Sequence, residues 1–324
     1  MKKVLLAIAA VATITSCSQN EEFENPTQKA EINFTPIVKN STRAAIMDPT
    51  LLQTEGFKAY AYNVGEQGTG SLEKPILGST GVDVTYDLNA WKYTGTYYWP
   101  SNAKVKFFAY APANSTAGYE ITAPSTDTAP KITYTVPDVA KQEDLVVAKT
   151  EALAYADGGV ILAFTHALTQ VNFSIKGQDA LTYILTSIKI TGVANTGTYN
   201  WNNSWAVSGT AGEYVYPIGG VSVEVTNSET KDLMQSNGAL MLLPQTFEKS
   251  SAAKIVVNYT VLDANKDLIY TAIDKDVSLA ESTAWEIGKK VRYILTLTND
   301  AKQISFGTPT VSPWNTSDDE EVEK

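Results

Sequence analysis

Apolar and polar residues alternate in short runs along most of this chain. A period of two is typical of strands that bury one face, and turn-forming residues separate the runs. Clear examples cover residues 31–38, 57–62, 105–110, 171–176, 255–261 and 291–297. The sequence shows no long run with a helical period. The pattern therefore predicts an all-β fold built of antiparallel β-sandwiches.

The sequence Asp157-Gly158-Gly159 predicts a boundary, because it separates two halves of similar pattern. The 324 residues also exceed what one hydrophobic core usually holds. We therefore expect two tandem domains, an N-terminal sandwich and a C-terminal sandwich. Their predicted bounds are 31–157 and 158–314, after a polar tether over 17–30 and before an acidic tail over 315–324.

The first residues have the features of a secretory signal. Two lysines precede an apolar stretch from Val4 to Ile14, which is too short to cross a bilayer. The sequence Ile14-Thr15-Ser16-Cys17 then matches a bacterial lipobox, which predicts a signal peptide over 1–16 and a lipid on Cys17. The alternative is an ordinary signal peptide with an incidental cysteine. The position of the chain's one cysteine favours lipidation.

Composition excludes several classes of function. The formal charge of −10 argues against a nucleic-acid partner, which requires basic surfaces. One cysteine and one histidine, His166, cannot form a cysteine–histidine zinc site. No nucleophile motif accompanies His166, which we expect to bond a backbone group near a strand end. The sequence therefore predicts no enzyme, no catalytic residue, no metal and no cofactor, although a glycosidase with paired carboxylates stays open on sequence alone.

Two other stretches are candidate sites. Trp201 and Trp205 flank amide side chains, and aromatic faces beside amides can stack on sugars, although such tryptophans are more often core and rim residues.

Arg43 ends the polar turn 39–43 and precedes Ala44, so a trypsin-like protease could cut between them. Most exposed arginines, however, are only surface charges.

Several stretches together resemble the fimbrillin family, the subunits of type V pili of Gram-negative anaerobes. No single motif is strong, but the ordered set spans most of the chain after Cys17, and the lipobox agrees with it. The stretches are Tyr97-Tyr98-Trp99-Pro100, 105–112 (VKFFAYAP), 144–148 (DLVVA), 160–175 with Phe164-Thr165-His166-Ala167-Leu168 inside it, Trp285-Glu286-Ile287-Gly288-Lys289, Tyr293 and Trp314.

The resemblance implies two transthyretin-like β-sandwiches made as a lipoprotein and carried to the cell surface. It further implies cleavage after Arg43, which would remove the strand at 31–38. A strand donated by another pilin subunit would then fill the groove. A surface receptor would be a further partner, and its identity stays open.

One departure concerns the C-terminus. A stalk subunit should carry an apolar strand to donate, but the residues after Trp314 are short and acidic. Either residues 304–311 swing out to donate, or the chain is a tip or minor subunit, which we favour. The alternative function is a surface glycan-binding lipoprotein of a nutrient-uptake system.

Overall fold

Strands make up 53% and helices 4% of the residues that the structure describes, so the predicted all-β class is confirmed. The computed structural model describes residues 30–38, 46–113, 115, 119–122, 129–155, 159–177, 181–209, 212–218, 223–226, 230–233, 239–297 and 304–314. The strands are β1 (Phe34–Val38), β2 (Phe57–Asn63), β3 (Val82–Asp87), β4 (Ala90–Tyr93), β5 (Val105–Ala111), β6 (Tyr119–Thr122), β7 (Lys131–Thr135), β8 (Val146–Lys149), β9 (Val160–His166), β10 (Thr169–Lys176) and β11 (Thr182–Val193). They continue with β12 (Thr196–Asn200), β13 (Ser204–Ser208), β14 (Gly212–Val215), β15 (Val223–Thr226), β16 (Lys231–Asp232), β17 (Leu240–Leu242), β18 (Lys254–Leu262), β19 (Leu268–Ser278), β20 (Lys289–Thr296), β21 (Ser305–Phe306) and β22 (Thr310–Pro313).

The first half of the chain is organised by a seven-stranded sheet with the order β1-β9-β8-β5-β2-β3-β4. Strand β1 lies at its edge and pairs in parallel with β9, with Phe34 opposite Val160 and Val38 opposite Phe164. Pro36 cannot donate to a ladder and is tolerated at an edge. Pro36 therefore fits the edge position of β1.

Strand pairing crosses the predicted boundary between residues 157 and 158. Strand β9 follows that boundary but joins the first sheet through β8 and β1. In a four-stranded sheet of order β13-β12-β7-β6, β12 pairs with β7 of the first half. The division into domains over 31–157 and 158–314 remains a prediction.

Two further sheets complete the C-terminal half. One has the order β16-β10-β20-β21, with β17 also on β10 and β22 also on β20. The other has the order β14-β11-β18-β19, with β15 also on β11.

The middle strands of the first sheet, β2, β5 and β8, are buried on both faces, which explains why β5 is almost continuously apolar. Phe107 of β5 lies in one apolar cluster with Phe57 and Phe164. Phe108, the next residue, faces the other way and joins a second cluster with Tyr60 and strands of the C-terminal half.

A short helix, α1 (Pro49–Glu55), lies between β1 and β2, and a 3-10 turn spans Val139–Lys141. The side chain of Asp48 caps α1 by accepting a hydrogen bond from the Leu51 N–H at 2.8 Å, and Pro49 suits the first helical position. The alternation pattern did not predict this helix. Within the described part of the chain, no helix has the length and apolar character needed to cross a bilayer.

Candidate functional site

The predicted removable strand is seated in the first sheet by apolar side chains. Phe34 and Val38 of β1 are buried, and Ile32 just before β1 is fully buried. The Phe34 ring packs edge-on against Phe57 at 5.8 Å and Phe107 at 6.0 Å between centroids. Burying each such side chain stabilises the fold by about 2 kcal/mol. Loss of this segment would therefore open an apolar groove beside β9.

Backbone hydrogen bonds extend this seat toward the N-terminus. The Ile32 N–H donates to the Tyr97 carbonyl at 2.8 Å, and the Trp99 N–H donates to the Ala30 carbonyl at 2.9 Å. The Tyr93 hydroxyl donates to the Ile32 carbonyl. Burial raises the pKa of Tyr93 to about 12, with a smaller contribution from Glu31, so this donor stays protonated at neutral pH.

The chain is anchored again soon after the predicted cleavage point. Arg43 and Ala44 lie outside the described residues. Ile46 and Met47 follow and are buried. The Met47 N–H donates to Asp144 Oδ2 at 2.8 Å, so the described chain resumes at a fixed point in the core.

Asp144 also binds the chain's one histidine. Its Oδ2 lies 2.8 Å from His166 Nδ1, and both side chains are almost fully buried. The His166 ring stacks on Trp314 with 4.6 Å between centroids and 5° between planes. His166 does end a strand, as expected, but it pairs with a carboxylate from 22 residues upstream. A backbone amide and an indole surround the pair, so these contacts supply no nucleophile.

The C-terminal strands occupy their own sheet. Strands β21 and β22 pair with β20 at Leu295–Thr296 and Lys289–Arg292, respectively. Ile304 and Trp314, which flank this segment, are buried. The segment from 304 to 311 that could serve as a donor therefore lies within its own subunit in this structure.

The two tryptophans considered for glycan contact are engaged by the protein. Trp201 is buried, donates its indole N–H to the Pro130 carbonyl, and packs against Phe108 at 5.1 Å. Trp205 is partly buried and donates its indole N–H to the Ala167 carbonyl at 2.7 Å. Their packing corresponds to the core-and-rim alternative and leaves little ring surface for a sugar.

Two further predictions concern a lipid on Cys17 and metal binding. Cys17 lies outside them, so its lipidation stays a prediction. Among the described residues, no group of three or more acidic, histidine or cysteine side chains could hold a metal ion.

Arginine content restricts where an arginine-specific protease could act. The chain has two arginines, Arg43 and Arg292. Arg292 lies in β20, which is paired with β10 on one side and β22 on the other. It also forms an ion pair with Asp232, with 3.2 Å between Nη2 and Oδ2. A protease must bind its substrate as accessible extended chain, so β20 protects Arg292.

Comparison with known proteins points to one family. Residues 42–314 match the family model described as fimbrillin-like. Fimbrium subunit Fim1C of Phocaeicola vulgatus is 27% identical over 380 residues, covering 99% of this chain and 98% of that protein. A putative fimbrium subunit Fim1C of Bacteroides uniformis is 25% identical over 326 residues, covering 97% of each chain. The crystal structure of a fimbrial protein from Bacteroides vulgatus superposes with a TM-score of 0.72 at 20% identity, covering 88% of this chain and 99% of that one.

Proposed function

Because this chain belongs to the fimbrillin-like family, we propose that it is a subunit of cell-surface fimbriae assembled by donor-strand exchange. In this proposal a protease cuts after Arg43, and the segment containing β1 leaves. A strand from another subunit then pairs with β9. The observation that carries the proposal is the seat of β1, an edge strand whose apolar side chains enter the core.

Physical chemistry supports the exchange. Without β1, the outer edge of β9 would expose unpaired backbone groups beside apolar side chains, and both are costly in water. An extended strand from a neighbour would restore the ladder and fill the pockets left by Ile32, Phe34 and Val38. Such a head-to-tail contact does not close on itself, so it generates a filament.

Two further features support cleavage at Arg43. Arg292, the other arginine, is held inside a paired strand. The buried residues Ile46 and Met47 follow closely, so cleavage between Arg43 and Ala44 would leave the remaining chain attached to the core through Asp144.

The C-terminal segment favours a tip or minor position over a stalk position. Ile304 and Trp314 are buried and β22 pairs with β20, so donation would require the subunit to give up its own strand. Lipidation at Cys17 would hold the precursor at the outer membrane before cleavage. In this assembly the partners are other fimbrial subunits.

The test uses the full-length chain and an arginine-specific protease. We expect mass spectrometry to find a new N-terminus at Ala44 and, after a mild urea wash, loss of the released segment. The trimmed chain should then bind a labelled synthetic peptide of residues 30–38. A peptide with Phe34→Asp should not bind. Arg43→Lys, which keeps the charge, should block cleavage.

The outcomes separate the possible roles. Ladders of oligomers after trimming would indicate a stalk subunit that donates its own strand. A trimmed monomer that binds the peptide would indicate a tip or minor subunit. A trimmed chain that neither binds the peptide nor forms oligomers, or cleavage at a different position, would overturn the proposal.

A further inference from the structure

A cleft of about 770 Å³ lies beside the N-terminal segment, on the first sheet. One wall is formed by Asn63, Lys74 and Ile76, and the other by residues 96–103. The lining includes Tyr97-Tyr98-Trp99-Pro100, a stretch that entered the sequence analysis only through the family resemblance.

Both walls are fixed by backbone pairing. The Asn63 N–H donates to the Lys74 carbonyl at 3.3 Å, and the Ile76 N–H donates to the Ala61 carbonyl at 2.8 Å. The opposite wall is bonded through Tyr97 and Trp99 to residues 30–32, as described above. The cleft is therefore largely preformed, as small-molecule sites usually are.

The lining combines an exposed aromatic ring with amides. Tyr98 is 43% exposed, whereas its neighbour Trp99 is buried and packs against Phe107 at 5.5 Å. The side-chain oxygen of Asn63 accepts a hydrogen bond from the Gly65 N–H at 2.8 Å, which leaves its NH2 group to donate to a ligand. Asn102 supplies a second amide in the cleft.

The charge of the lining is positive. Lys74 is the one acidic or basic residue in the cleft's lining, and it forms no ion pair with a described carboxylate. The chain as a whole has a formal charge of −10. A positive group in a concave site of a negative protein favours a ligand that carries an anion.

We propose that this cleft binds an acidic saccharide. The C–H face of a pyranose ring would lie on Tyr98, since the face of an aromatic ring carries partial negative charge. The sugar's carboxylate would lie beside Lys74, and its hydroxyls would accept from the amides of Asn63 and Asn102. The wall that carries Tyr98 is bonded to residues 30–32, which cleavage after Arg43 would release, so the site is proposed for the uncleaved chain, and its test requires no strand exchange.

The test measures binding by the intact full-length chain. The probes are oligosaccharides that end in glucuronic acid or sialic acid, compared with otherwise matched oligosaccharides that end in galactose. We expect the acidic probes to bind more tightly. Tyr98→Ala should weaken binding of all the probes by about tenfold, and Tyr98→Phe should preserve it.

Charge-matched controls separate this site from general surface charge. Lys74→Gln should abolish the preference for acidic over neutral probes, whereas Lys249→Gln, at an exposed turn, should leave it unchanged. Ile273→Ala removes an exposed apolar side chain elsewhere and should have no effect. Unchanged melting temperatures would show that the variants are folded.

Three results would overturn the proposal. The first is that no acidic probe binds. The second is that binding is unaffected by both Tyr98→Ala and Lys74→Gln. The third is that an oligoglutamate peptide binds as well as the acidic saccharides, which would mean that charge alone is recognised.

Discussion

The described strands nearest the two ends of the chain, β1 and β22, are edge strands held in opposite ways. Strand β1 places Phe34 and Val38 in the core, with Ile32 buried just before it. Strand β22 (Thr310–Pro313) has no buried residue and is held by its backbone pairing with β20 and by the buried residues on either side, Pro309 and Trp314. One strand is therefore held by side chains inserted along its length, and the other by its backbone and its flanking residues.

This difference shows which of the two strands would leave the larger defect in the core if it were removed. Removal of β1 would uncover the cluster that includes Phe57 and Phe107, whereas displacement of β22 would uncover mainly the site of Trp314. A groove that needs refilling is expected at β1. Four variants or conditions test this contrast, taken in order of decreasing effect.

Phe34→Ala should give the largest effect, because it leaves a cavity among the rings of Phe57, Tyr93 and Phe107. We expect a loss of about 4 kcal/mol in the free energy of unfolding, measured by urea denaturation. Ile37→Ala in the same strand is the matched control and should cost less than about 0.5 kcal/mol, since Ile37 is half exposed. Similar losses for the two variants would contradict insertion of β1 into the core.

Trp314→Ala should cost about 3 kcal/mol, because it removes a buried ring that stacks on His166. We also expect faster hydrogen exchange in β22 but not in β1. Val311→Ala, at a partly exposed position of β22, should leave exchange nearly unchanged. If Val311→Ala releases β22 and Trp314→Ala does not, the strand is held along its length and the contrast fails.

Asp144→Asn changes a residue that binds both Met47, which follows the β1 segment, and His166, which stacks on Trp314. It replaces the charged acceptor of the Met47 N–H and His166 Nδ1, so we expect a loss of about 2 kcal/mol in thermal or urea unfolding. Asp83→Asn, whose exposed side chain pairs with Lys58, is the control and should cost less than about 1 kcal/mol. Equal losses would mean that the buried pair adds nothing beyond a surface ion pair.

Raising the pH tests the burial of the Tyr93 hydroxyl, which donates a hydrogen bond to the β1 segment. The folded pKa of Tyr93 is about 12 and its ordinary value is 10.0, so its contribution is complete below pH 10 and is lost as the pH rises toward 12. The difference in unfolding free energy between the wild type and Tyr93→Phe should therefore shrink by about 1 kcal/mol between pH 8 and pH 11. The same comparison between pH 6 and pH 8 is the control and should show no change, because Tyr93 stays protonated there in both states. A difference that stays constant up to pH 11 would contradict burial of the Tyr93 hydroxyl.

The sequence predicts the strands well because burial on one face produces a visible alternation. The run at 31–38 contains β1, and Pro36 indicates its edge position through the lost N–H alone. Helix α1 was missed because seven residues give too little periodicity, although Asp48-Pro49 is a start signal that a search for caps would find.

Long-range pairing was beyond the sequence because it depends on three-dimensional register. Nothing local to Asp144 indicates that it reaches both Met47 and His166, which are 97 and 22 residues away. In the same way, nothing in the residues of β12 indicates that it pairs with β7 across the expected boundary. Trp201 and Trp205 could serve as glycan contacts or as core and rim residues. These interpretations differ only in whether other side chains cover the indole rings, which the local sequence does not show.

The stack between His166 and Trp314 has a mechanical consequence. His166 ends β9, the strand on which β1 lies and on which a neighbour's strand would lie after exchange, while Trp314 ends the segment of β22. A filament under tension would transmit force from the incoming strand into β9 and then to β22 by two routes. One crosses the stacked rings, and the other follows the backbone into β10 and its ladder with β20, on which β22 lies. The imidazole and the indole would therefore share the load with that ladder.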